Sequence, residues 1–190
     1  MTEPVRQFVE GRRADTVRRL LDATVEELES RGFGSMTVRS VAERAEVSRA
    51  TAYSYFSSKE HLVTAVFWKR VQALPPSGED RRTGKPGEDV AQVVDTIARM
   101  LAAEPALVRA CTTALLADQQ EVKRLRDEIG REVYRRLTDA VGDADRSALE
   151  AVMTAFVGSL VLAGSGYLPM EEMASHVAGI TDRVLPPAGS

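Results

Sequence analysis

Cysteine and histidine are scarce in this chain of 190 residues: there is one Cys, Cys111, and two His, His61 and His176. A single cysteine excludes an internal disulfide framework, and no Cys-based metal site can be built from it alone. The two histidines are far apart, and neither stands in an HExxH pattern. No Gly-rich phosphate loop appears, and no serine sits in a nucleophile elbow. No apolar run follows the opening Met1-Thr2-Glu3-Pro4-Val5-Arg6, so a secretory signal is not expected and the cytoplasm is the expected compartment. With no nucleophile–base pair, phosphate loop or metal set, neither enzymatic activity nor a cofactor is expected.

One stretch, residues 151–170, lacks formal charge over roughly the 20 residues that a membrane span needs. It contains Gly158, Gly164, Gly166, Thr154, Ser159, Ser165 and Pro169. That content is too small and polar for a convincing span, so a buried helix without a membrane partner is expected.

Hydrophobic residues make up 44% and charged residues 28%, ordinary fractions for a globular chain with enough apolar surface to fold. The net charge of −3 is unevenly spread: residues 1–74 carry 12 Lys/Arg against 10 Asp/Glu, and residues 75–190 carry 13 against 18. A mildly basic N-terminal part suits contact with a polyanion. Incidental unevenness of surface charge explains the same numbers.

Helical periodicity runs through the chain, and no segment alternates as a strand does. Residues 1–13 lack periodicity and are expected to be a flexible arm. Val17, Leu20, Leu21, Thr24, Val25 and Leu28 then mark a long helix, with Gly32 as its stop. Thr37 and Ser48 can each cap a short helix, and Ser57-Ser58-Lys59-Glu60 fits a capping box with Ser57 as the cap. Pro75 to Gly87 is rich in Pro, Gly and charge and reads as a linker between a unit at 14–74 and a body at 88–185. In the body, Pro105 suits the first turn of a helix, Gly142 ends a charged one, and Asp143 or Asp145 can cap the uncharged one. Pro186 and Pro187 close the last helix. The expected architecture is all-α, with about nine helices.

The informative stretch is Thr37 to Lys59, TVRSVAERAEVSRATAYSYFSSK. Two short capped helices meeting at a turn near Glu46-Val47 have helix-turn-helix spacing. The first helix braces the second, which can then enter a major groove. At about 100° per residue, Ala50 and Ser54 share a face flanked by Arg49 and Tyr53, while Ala52 turns inward. Arg49 can make a bidentate contact to guanine. Thr51, Tyr53 and Ser54 offer hydroxyls to phosphates, and Thr37, Ser48 and Lys59 stand at helix starts that favour phosphate. Any three-helix unit with good caps has similar spacings, so spacing alone leaves DNA binding and plain packing both open.

Here the sequence resembles a known family. Residues 14–72 are similar to the N-terminal DNA-binding domain of TetR-type (TetR/AcrR) transcriptional regulators. The resemblance lies in Ser30-Arg31-Gly32-Phe33, TVRSVAERA, VSRATAYSYF and SSKEHL, in order and at the right intervals. It implies DNA contact at Thr37, Arg39, Ser48, Arg49, Ala50, Thr51, Tyr53, Ser54, Tyr55 and Lys59. Tyr53, Tyr55 and Lys59 would meet backbone phosphate, and Arg39, Arg49 and Ala50 would read bases. Helical geometry nevertheless turns Tyr55 away from the Ala50–Ser54 face. Two residues depart from the pattern: Glu46 stands where the turn usually has Gly, and Ala52 where a larger apolar residue is usual.

The body resembles the family in architecture and only loosely in sequence. The resemblance implies a homodimer, a double-stranded operator with two-fold symmetry, and a small-molecule effector of largely apolar character. Ala148, Ala151, Ala155, Gly158 and Leu162, with Met173, Val177 and Ile180 on the last helix, are candidates for the dimer interface. Met100, Leu107, Cys111, Leu115, Tyr134, Phe156 and Leu160 are candidates for an effector pocket, though residues of this kind are more often plain core. The function expected is a ligand-responsive repressor; a helical interaction or membrane-peripheral protein without a DNA target is the other reading.

Overall fold

The computed structural model describes residues 3–76, 83–142 and 146–185, with side chains described from Gly11 onward. Among the described residues the chain forms nine α-helices and no strand. They are α1 (Glu3–Ser35), α2 (Val38–Arg44), α3 (Arg49–Tyr55), α4 (Lys59–Gln72), α5 (Pro86–Ala102), α6 (Pro105–Ala114), α7 (Gln120–Val141), α8 (Arg146–Gly164) and α9 (Met173–Val184). The all-α expectation holds. A 3-10 turn at Met170–Glu172 leads into α9.

Local chemistry sets most boundaries. Gly32 takes φ 70°, a left-handed conformation that costs glycine little, and interrupts α1 there. Thr37 accepts from the Ser40 N–H at 3.0 Å while the Ser40 hydroxyl accepts from the Thr37 N–H at 3.1 Å, a reciprocal cap on α2. Ser48 caps α3 by accepting from the Thr51 N–H at 3.1 Å. Pro86 and Pro105 open α5 and α6, where the missing N–H costs nothing. Gly142 ends α7 at φ 69°.

Three sequence expectations are corrected here. The arm over 1–13 is helical from Glu3 and belongs to α1. Glu, Arg, Gln and Ala form helix readily without an apolar stripe, so missing periodicity does not exclude a helix. The cap of α4 is Ser58, not Ser57: the Ser58 hydroxyl accepts from the His61 N–H at 3.0 Å. Adjacent serines carry the same cap chemistry, and the role falls to the last extended residue before Lys59. The linker ends at Lys85, because Pro86 and Gly87 are helical. Linker residues 77–82, the possible caps Asp143 and Asp145, and Pro186 and Pro187 lie outside the described residues.

Leu20, Leu28, Val41, Ala42, Ala52, Leu62, Val63 and Val66 bury the apolar faces of α1 to α4 against one another. The small Ala52 is fully buried, so α3 packs close to its support. A buried carboxylate pins α2 to α1: Glu27, with its side chain 2% exposed, receives Arg44 at 2.7 Å and Arg31 at 3.7 Å. α1 and α4 then pack on α6, and α4 on α7, so one continuous apolar cluster runs from Leu20 to Val177. Arg136, itself buried, ties the far end of α4 to α7 by donating to the Pro75 carbonyl at 2.7 Å and to Glu132 at 2.7 Å.

α9 lies chiefly along α5, burying Met173, Val177 and Thr181. Met173 and Val177, expected at a dimer interface, are therefore intrachain core. α5 offers Val90, Val94, Ile97 and Leu101 as a matching stripe and takes up the apolar side of α9. The expectation of a buried α8 is also corrected. α8 buries Leu149, Val152, Phe156 and Ser159, while Val157, Val161 and Leu162 stay exposed. It is long and apolar enough to cross a membrane by length and composition only.

Candidate DNA-binding surface and body cavity

α3 sits on α2 through Ala52, which leaves its other side outward. Ser48, Arg49, Ala50, Tyr53 and Ser54 are exposed, Tyr53 at 54%. Thr37 and Arg39 at the start of α2 are exposed beside them. Thr51 is half-buried, with its Oγ1 2.7 Å from Ser48 Oγ. Ser54 donates its hydroxyl to the Thr51 carbonyl at 2.7 Å.

Two of the expected contact residues are engaged within the chain. Tyr55 is half-buried against the core and does not join the outward face, as helical phase requires. Lys59 donates to the Phe33 carbonyl at 2.8 Å, and its ammonium lies 4.4 Å from the centre of the Phe33 ring. It fastens α4 to the end of α1 instead of standing free. Both side chains are large enough to be captured by a neighbouring helix, which the motif pattern cannot reveal.

Two features of this surface escaped sequence reasoning. Glu43 receives Arg39 at 2.9 Å and Arg49 at 3.1 Å, both on the same carboxylate oxygen. The hydrogen bond from Arg39, aided by Arg49, holds the Glu43 carboxyl below the usual carboxylate range. The i, i+4 spacing of Arg39 and Glu43 was visible; the reach from Arg49 across the turn was not. At the turn itself Glu46 takes φ 52°. Arg19 of α1 donates to the Ala45 and Glu46 carbonyls, holding the strained turn in place.

A cavity of about 300 Å³ lies in the body, between α6, α7 and α8. Its walls follow helical phase. Val108, Cys111, Thr112 and Leu115 come from α6 and its C-cap, and Arg126, Ile129, Gly130 and Val133 from α7. Met153, Phe156, Val157, Leu160 and Val161 come from α8, while Phe67 and Leu101 add α4 and α5. Of the seven residues expected at a pocket, Cys111, Leu115, Phe156 and Leu160 line it. Met100, Leu107 and Tyr134 do not. Each is next in sequence to a lining residue, and one position is about 100° around a helix. Leu107 is core, Met100 is half-buried and Tyr134 faces outward. Burial pushes the Cys111 thiol up to about 12, so it stays protonated. No cluster of three or more His, Cys, Asp or Glu able to hold a metal occurs among the described residues.

On α8 the side not covered by this chain carries Gly158 and Leu162, exposed, beside the half-buried Ala148, Ala151 and Ala155. Ile180 of α9 is half-buried.

The profile of bacterial regulatory proteins of the tetR family matches residues 20–66, which span the end of α1 through most of α4. An uncharacterized HTH-type transcriptional regulator of Mycobacterium bovis is 38% identical over 189 residues, 97% of this chain and 88% of that one. The chain belongs to the TetR family. It is a DNA-binding transcriptional regulator, and α2 and α3 are its helix-turn-helix. The HTH-type transcriptional repressor KstR of Rhodococcus jostii is 28% identical over 128 residues, covering 67% of this chain and 60% of KstR. The fold is shared with a TetR transcriptional regulator from Rhodococcus sp. RHA1 (TM-score 0.76, 22% identity, 92% and 98% of the two chains covered). It is also shared with FadR of Bacillus subtilis, solved with stearoyl-CoA (TM-score 0.63, 18% identity, 90% and 98% covered).

Proposed function

We propose that this TetR-family regulator is a repressor that binds a palindromic operator as a cytoplasmic homodimer and leaves it when a small, largely apolar effector fills the body cavity. The observation that carries this reading is the position of α4. Phe67 of α4 lines the cavity, and Lys59 at the other end of the same helix is fastened to the end of α1, beside the helix-turn-helix. A ligand that occupies the cavity differently in two positions of α4 acts on DNA affinity through that helix, because coupling requires different affinity for the two states. KstR of Rhodococcus jostii is named a repressor, and FadR of Bacillus subtilis was solved with an acyl-CoA, which supports a ligand-controlled role.

Arg49, Ala50 and Tyr53 are assigned to the major groove, with Arg39 beside them. The exposed side of α8 around Val157, Gly158, Val161 and Leu162 is assigned to the second subunit, since small and apolar residues there permit close helix approach. Selection from random duplex DNA with purified protein tests the reading. The expected result is a palindromic consensus whose affinity falls steeply with salt. Arg49→Ala is expected to weaken consensus binding by about 1–3 kcal/mol and to relax one position of it. Unchanged affinity in the Arg49→Ala, Tyr53→Ala double variant sinks the assignment.

A further inference from the structure

Among the described residues, Arg126 is the one charged residue on the cavity wall. It is half-buried, and its Nη1 donates to the Leu115 carbonyl at 2.7 Å. No carboxylate pairs with it among the described residues. Three later arginines of α7 do meet carboxylates: Arg131 meets Glu128, and Arg135 and Arg136 both meet Glu132. A guanidinium has five N–H donors, and one carbonyl leaves most of them open. Against apolar walls such a charge is costly unless it is paired.

The wall beside it is empty in a useful place. Gly130 lies one turn along α7 from Arg126, also lines the cavity, and a Cβ built there would meet nothing within 4 Å. Beyond it Ile129, Val133, Phe156 and Leu160 are apolar. The polar side chains near Arg126 do not compete for it. Cys111 is a neutral thiol, and the Thr112 hydroxyl donates to the Arg109 carbonyl at 2.8 Å.

We propose that the cavity takes an amphiphile whose anionic head binds Arg126 and whose apolar chain passes Gly130 between α7 and α8. This deepens the ligand-responsive reading and rests on it. The head is a carboxylate or similar anion attached directly to the chain, since Arg126 and the apolar wall are only one helical turn apart.

Titration calorimetry of the full chain with decanoate, decanol and decanoyl-CoA tests this. Decanoate is expected to bind about tenfold or more tighter than decanol, the worth of a charge-assisted hydrogen bond. Arg126→Gln should bring decanoate down to the level of decanol and leave decanol unchanged; Arg126→Lys should keep part of the difference. Gly130→Leu fills the passage without touching Arg126 and should weaken both ligands. Equal binding of decanoate and decanol overturns the anion site while leaving an apolar pocket. A preference for decanoate that survives Arg126→Gln overturns it too. So do binding of neither ligand and tighter, Arg126-independent binding of decanoyl-CoA. Arg126-dependent decanoate binding that leaves operator DNA bound upholds the anion site and removes the release step instead.

Discussion

Glu46 is the residue where sequence and backbone disagree most openly. A non-glycine at φ 52° carries a steric cost of about 1 kcal/mol, and Arg19 compensates by gripping the turn. Glu46→Gly is therefore expected to stabilise the fold by up to about 1 kcal/mol, seen as a higher denaturation midpoint. The departure from the family pattern was legible, but the compensating Arg19 was not, because it lies 27 positions away on α1. Glu27 is the opposite case, a buried charge with partners. Burial works against its ionisation, but the hydrogen bonds from Ser40 and Arg44 and the charge of Arg31 outweigh it, so its carboxyl sits below the ordinary value. Its contribution to stability is present at neutral pH and is lost as pH falls through the lowered value. Arg44→Ala removes the main partner of a buried carboxylate and is expected to lower the midpoint of chemical denaturation.

At the scale of helices, α4 joins the parts. Its first turn holds His61, whose ring packs edge-on to Phe56 at 5.1 Å between centroids. Burial lowers the His61 pKa, and the charge of Glu121 on α7 only partly offsets this. The unfolded chain thus binds the proton more readily than the folded one. Stability should fall as pH drops below about 6.5, the ordinary histidine value. His61→Gln is expected to flatten thermal midpoints across that window, a comparison that differential scanning fluorimetry can make. Helix starts and stops were largely readable, because caps such as Thr37 and breaks such as Pro105 act locally. Helix phase in the body was not. Leu107, Met100 and Tyr134 sit next in sequence to lining residues, and which position of a helix meets a cavity depends on the neighbouring helices. Arg126 was passed over for the same reason, since nothing local separates it from the solvated charges of α7.

At the scale of the molecule, the unclaimed side of α8 is the proposed seat of a second subunit. Gly158→Glu with Leu162→Glu, on the exposed side of α8 and off the cavity wall, is expected to yield monomers in sedimentation analysis and to lose cooperative operator binding while each chain stays folded. Met173 and Val177 lie within the chain, so their truncation should lower the unfolding midpoint of the monomer as well. The apolar cluster shared by both parts predicts a single unfolding transition for the whole chain in place of separate ones for the helix-turn-helix and body. Glu43 has a reach beyond its two arginines. A genome presents on the order of a million or more competing sites, and bare positive charge binds all of them. In the proposed DNA complex, Glu43, by neutralising part of Arg39 and Arg49, would weaken binding to sequence that offers no base contacts in exchange.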